Sequence, residues 1–214
     1  MKKRYVTVLL VLMVWGGFMP GIFRSAWGSP KIKILFLGDS ITAGYGVAQE
    51  ESYPALLGQK LESFGIHHVE IINGSISGST TASALSRLKW FRKASPDVLV
   101  LALGANDGLR GLSVENMEEN LGRAISFAKN SNMDVILAGM QIPPNYGPEY
   151  ADDFKQVFIT LADLHGVVLI PFLLDGVGGR ANMNQPDGIH PNREGHQQIA
   201  KTVFPFILKQ IQEP

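Results

Sequence analysis

Asp97-Val98-Leu99-Val100-Leu101-Ala102-Leu103 is a continuous apolar run behind a single acidic residue. A strand with one wet face would alternate polar and apolar residues. An unbroken run bounded by Pro96 and Gly104 predicts a strand buried on both faces, at the centre of a parallel sheet. The chain repeats this theme on either side. Strands are predicted at 31–37, 68–72, 134–138 and 167–170. Helical spacing of apolar residues predicts helices over 53–64, 79–93, 113–129, 149–165 and 192–211. Ser113 is placed to cap the third of these, Gly166 to close the fourth, and Pro205 to kink the last. Such alternation predicts an α/β fold of one domain. Its form is a three-layer α/β/α sandwich around about five parallel strands, with ligands bound beyond the strands' carboxyl ends.

The 214 residues carry 19 Lys+Arg, 19 Asp+Glu and no Cys. A balanced charge argues against capture of nucleic acid. The lack of Cys removes disulfides, Cys-ligated zinc, iron–sulfur clusters and thiol catalysis. The balance is uneven along the chain. Lys2, Lys3 and Arg4 precede an uncharged stretch from Tyr5 to Phe23, and Ala26-Trp27-Gly28 places small residues where a signal peptidase cleaves. Residues 1–28 therefore read as a signal peptide and 29–214 as the mature domain, exported to the periplasm or secreted. An uncleaved membrane anchor is the rival reading. Removing four cations and no anion would leave the mature chain mildly acidic.

Four polar, Gly-rich stretches then stand out: Gly38-Asp39-Ser40-Ile41-Thr42, Asn73–Gly78, Gly104–Gly108 and Asp187-Gly188-Ile189-His190. All are expected on loops, the first three at the functional edge of the sheet. Ser40 is the candidate nucleophile, and a serine hydroxyl needs a base within reach. His190 can serve, since imidazole titrates near neutrality. Asp187, three residues earlier, can orient it on a tight turn. The Ser40 N–H, the Gly78 N–H and the Asn106 amide are candidate donors to an oxyanion. Each residue also has a plainer reading. Ser40 can be a helix cap, Asn106 a turn former, and Asp187 with His190 a turn pair or, with His196, metal ligands. Asp39 is expected to order its loop, as are Asn73 and Asp107. His67, His68 and His165 are expected to be surface or structural residues.

These four blocks, taken in order, resemble the SGNH (GDSL-type) hydrolases, most closely the bacterial thioesterase I / lysophospholipase L1 / arylesterase branch. The resemblance runs over roughly residues 31–211 and includes Asn73–Gly78, Gly104–Gly111 and Gln185–Asn192. It implies a flavodoxin-like sandwich and a serine esterase or thioesterase that needs no cofactor and no metal. It implies the triad Ser40, Asp187 and His190, and an oxyanion hole of Ser40, Gly78 and Asn106. Ala105 departs from the family pattern, where Gly is common. The expected partner is a small acyl ester or thioester, with transient lipid contact and a monomeric state. Ile76, Leu109, Leu112, Ile142, Pro143 and Pro144 are candidates for an acyl groove. Carbohydrate O-deacetylation and a non-catalytic binding module are the alternatives. A dinucleotide fold is disfavoured because Gly44-Tyr45-Gly46-Val47-Ala48-Gln49 lacks the third Gly of GxGxxG.

Overall fold

The predicted central run becomes the central strand. In a computed structural model, which describes residues 31–212, β3 (Val98–Ala102) is buried at every position. It pairs in parallel with β1 (Ile32–Gly38) on one side and β4 (Asp134–Ala138) on the other. β2 (Val69–Asn73) lies outside β1, and β5 (Val168–Ile170) outside β4, giving the order β2-β1-β3-β4-β5. β1 and β3 lie in register from Ile34 opposite Val98 to Gly38 opposite Ala102, so both strands end together. The expected leader, residues 1–28, lies outside the described residues.

Helices cover both faces of the sheet. α2 (Tyr53–Ser63) packs on α7 (Arg193–Gln212), while α3 (Ala84–Phe91), α5 (Val114–Asn130) and α6 (Pro148–His165) pack in series. The periodicity explains which face each helix buries. α5 turns Met117, Leu121, Ala124, Ile125 and Ala128 inward, and α6 turns Phe154, Val157, Phe158, Leu161 and Ala162 inward. Ser113 Oγ accepts from Asn116 N at 3.0 Å and starts α5. Gly166, left-handed at φ 59, ends α6. Both caps are as the sequence suggests. Pro205 leaves α7 unbroken, its ring on the exposed face.

Two elements differ from expectation. The helix predicted from residue 79 begins at Ala84, after a 3-10 turn over Thr81–Ser83 whose Thr81 N and Thr81 Oγ1 are engaged by the buried Asp107 carboxylate at 2.9 and 2.6 Å. The stretch after β3 is not a loop. It forms one short helix, α4 (Ala105–Leu109), opened by Gly104 at φ 124. A Cβ on Gly108 would come within 2.4 Å of Ile142 and 2.7 Å of Phe154, so glycine lets α4 lie against the core. After β1 the chain runs outward to β2 and then returns across β1 to β3. The crevice between the carboxyl ends of β1 and β3 is therefore the topological switch point, where doubly wound sheets bind ligands.

Candidate active site

β1 delivers Ser40 to that crevice. A Cβ on Gly38 would meet Thr42 Oγ1 at 2.3 Å and the Ala102 carbonyl at 3.0 Å, so only glycine allows the chain to turn here. Asp39 caps the short helix α1 (Ser40–Ala43) by accepting from Ile41 N at 3.0 Å. Ser40 is the first residue of α1, so its own N–H has no partner within the helix. Burial pushes the Asp39 carboxyl up to about 6, against the lowering effect of the Ile41 N–H.

The loop after β5 delivers Asp187 and His190. Asp187 Oδ1 accepts from Ile189 N at 2.9 Å and His190 N at 3.0 Å, while Oδ2 lies 2.7 Å from His190 Nδ1. The His190 backbone N–H first, then its ring and the Ile189 N–H, hold the Asp187 carboxyl at about 2. With Nδ1 donating to the carboxylate, neutral His190 keeps Nε2 as an acceptor. Nε2 lies 3.0 Å from Ser40 Oγ, across 150 residues of chain. The three predicted side chains thus form one hydrogen-bonded line. Side-chain amides secure the loop: Gln185 Nε2 donates to the Tyr45 and Pro191 carbonyls, Asn184 Nδ2 to Val177 and Arg180, and Asn192 Nδ2 to Asn182. The Tyr45 ring packs on His190, centroids 4.6 Å apart. Nothing in the sequence marked Tyr45.

Gly78 and Asn106 meet at the same edge. Gly78 sits at φ 78, and Asn106 Nδ2 donates to Ser79 O at 3.1 Å, with Asp39 Oδ2 at 3.4 Å. Asn73 Nδ2 donates to Thr42 O, tying β2 to α1. His196 does not join Asp187 and His190. It is fully buried on α7 and its Nδ1 accepts from Tyr53 N at 3.3 Å; burial lowers its pKa to about 4. Among the described residues no three His, Asp or Glu side chains converge on a metal-sized site.

An apolar cavity of about 360 Å³ opens beside the line, walled by Ile41, Ala105, Leu109, Ile142, Phe172 and Ile189. Leu109, Ile142 and Pro143 of the expected groove line it, whereas Ile76 and Leu112 do not. Ile76 faces a separate cleft with Trp90 and Phe91. Phe172 was missed, although its place just past β5 follows the carboxyl-end rule. Ala105, the departure noted above, is the first residue of α4 and part of the cavity wall. A larger, shallower groove on the outer helical face, between Leu85, Phe127 and Leu164, lacks any of the residues in the hydrogen-bonded line.

Residues 36–198 match the model of the GDSL-like lipase/acylhydrolase family. The chain belongs to this family. It is 39% identical over 188 residues to an arylesterase of Vibrio mimicus, covering 87% of this chain and 94% of that one. It is 36% identical over 180 residues to thioesterase 1/protease 1/lysophospholipase L1 of Escherichia coli K12, covering 84% and 83%. Among solved structures, the psychrotrophic esterase EstA from Pseudoalteromonas sp., inhibited by monoethylphosphonate, superposes with a TM-score of 0.80 at 34% identity. That match covers 86% of this chain and all of that one. With the family comes the reaction class, hydrolysis of ester bonds, and the SGNH sandwich is the fold described above.

Proposed function

We propose that the protein is an exported serine esterase acting on small acyl esters or thioesters, with Ser40 as nucleophile. The observation that carries this reading is the line Ser40–His190–Asp187 at the mouth of an apolar cavity. Ser40 Oγ attacks the carbonyl carbon as its proton passes to His190 Nε2, and Asp187 stabilises the imidazolium. The carbonyl oxygen becomes an oxyanion held by the Ser40 N–H, the Gly78 N–H and the Asn106 amide. Asn106 reaches it by giving up its long contact to Asp39. The intermediate collapses as His190 returns the proton to the departing alcohol or thiol. Water then attacks the acyl-enzyme by the same route and frees the acid.

The cavity supports an aliphatic or aryl acyl group as substrate. Tyr45, Ile76, Leu112 and Ile189 are exposed on the loops that carry the site, which supports brief contact with a lipid surface. The basic, apolar and small-residue pattern of residues 1–28 supports export. The decisive test is Ser40→Ala, assayed for p-nitrophenyl ester hydrolysis and for labelling by a fluorophosphonate. Loss of both, with the thermal melt retained, is the expected result. Near wild-type turnover would overturn the assignment.

A further inference from the structure

We infer that Arg110 is a positioning residue for the reaction, its guanidinium holding Gly78 in the place from which its N–H serves the site. The inference rests on the reading of Gly78 as an oxyanion donor. Ser79 N donates to Ile76 O at 3.2 Å, closing a turn over Ile76–Ser79. Gly78, third in that turn, has φ 78, while Ser77 is not among the residues with positive φ. This is a type II turn. Types I and II differ by a flip of the central peptide, which here consists of the Ser77 carbonyl and the Gly78 N–H. A turn leaves that N–H without an internal partner, so it is free to serve the site only when the peptide faces the right way. Glycine adopts the φ of either type with little preference. The turn's own residues therefore leave its placement to the neighbouring segments.

Two side chains of α4 and that of Arg110, the residue that ends it, grip the segment that follows the central peptide. Arg110 Nη2 donates to Gly78 O at 3.0 Å, Asn106 Nδ2 to Ser79 O, and Asp107 accepts from Thr81 N and Thr81 Oγ1. Asp107 is buried and anchors Thr81, two residues beyond the turn. Arg110 alone holds the carbonyl of Gly78 itself, in the peptide next to the one that carries the N–H, and so fixes where Gly78 sits against the site. Its side chain is exposed, and among the described residues it makes this hydrogen bond and no other. Its removal therefore leaves the core intact and frees the turn.

The test compares Arg110→Met and Arg110→Lys with the wild type on p-nitrophenyl butyrate. It also follows the Gly78 amide proton by NMR in enzyme phosphonylated at Ser40 by an alkyl fluorophosphonate. Losing an oxyanion donor outright lowers turnover about 10²–10³-fold, and loosening one is expected to lower kcat roughly tenfold. KM should stay within about twofold, and lysine, which retains one charged donor, should restore part of kcat. In the wild-type adduct the Gly78 proton shifts downfield on bonding to the phosphonyl oxygen; in Arg110→Met that shift is reduced. Wild-type kcat in Arg110→Met, with Ser40→Ala inactive, overturns the inference and leaves the esterase reading standing. A raised KM confined to phosphate-bearing esters, with kcat unchanged, also overturns it, since Arg110 would then recognise an anionic leaving group. Full activity in Ser40→Ala would instead overturn the underlying reading.

Discussion

Two buried groups near Ser40, Asp39 and His196, have pKa values displaced in opposite directions, and their opposition predicts a stability profile that one substitution should expose. His196 falls from its ordinary 6.5 to about 4 in the folded protein. The unfolded chain therefore binds its proton more readily, and the stability present above pH 6.5 is lost as pH falls toward 4. Asp39 rises from 3.8 to about 6. The folded protein binds that proton more readily, so the stability Asp39 contributes is present below pH 3.8 and lost as pH rises through 6. Both windows overlap. Between pH 7 and pH 4.5, His196 removes about 2 kcal/mol while Asp39 returns about 2 kcal/mol, at 1.36 kcal/mol per pKa unit. The wild type should therefore be nearly flat in this range as far as these two groups go. Asp39→Asn keeps a capping oxygen for Ile41 N and deletes the titration. In urea denaturation followed by circular dichroism, that variant should lose about 2 kcal/mol more than the wild type between pH 7 and pH 4.5. Asp39→Asn/His196→Gln should restore the flat profile. If Asp39→Asn tracks the wild type across this range, the opposition does not exist and the reasoning is refuted.

Further outcomes follow from the site. Asp187→Asn should lower kcat roughly 10³–10⁴-fold with little change in melting temperature, because the carboxylate is exposed but fixes the His190 tautomer; stopped assays at several pH values check it. Each methylene added to the acyl chain should raise kcat/KM about fourfold until the cavity is full, from ~0.8 kcal/mol per buried CH₂. An ester series from acetate to decanoate reads that slope, and a flat series removes the cavity from acyl binding. Tyr45→Ala strips the ring packed on His190 and should lower kcat/KM about threefold to tenfold; unchanged kinetics would show that the ring is a bystander.

The sheet's centre was legible because β3 is buried on both faces and must be apolar throughout. α5 and α6 were legible because their inward residues recur at helical spacing. The start of α3 was not, since residues 81–83 form a separate 3-10 turn whose Thr81 is held by Asp107, far along the chain. α4 escaped notice for a related reason. Its five residues include one glycine and depend on contacts with α6 and the segment around Ile142 for their place, and local propensity carries no record of those contacts. At the site, the Asp187–His190 pair could be read from a three-residue spacing. The approach of His190 to Ser40 could not, being a product of the whole fold. Residue chemistry named His190 as the candidate base for Ser40, and resemblance to a family implied the same pairing. Tyr45 left no local signal because its neighbour at the site comes from a distant segment, whereas Phe172 could have been found from its place just past β5.

His190 and Asp187 share one fastened loop, while Ser40 stands at another strand's end. Thermal motion therefore acts on the two contacts unequally. Relative drift of whole segments leaves the distance between Asp187 and His190 almost untouched, because both ends of that contact move together. The same drift falls entirely on the gap between His190 and Ser40. The seam between the loop and α1 is bridged by Gln185 reaching the Tyr45 carbonyl, so this one amide sits where errors of assembly would otherwise accumulate. Heating should widen that seam before it melts the sheet, and activity should fade at a lower temperature than secondary structure.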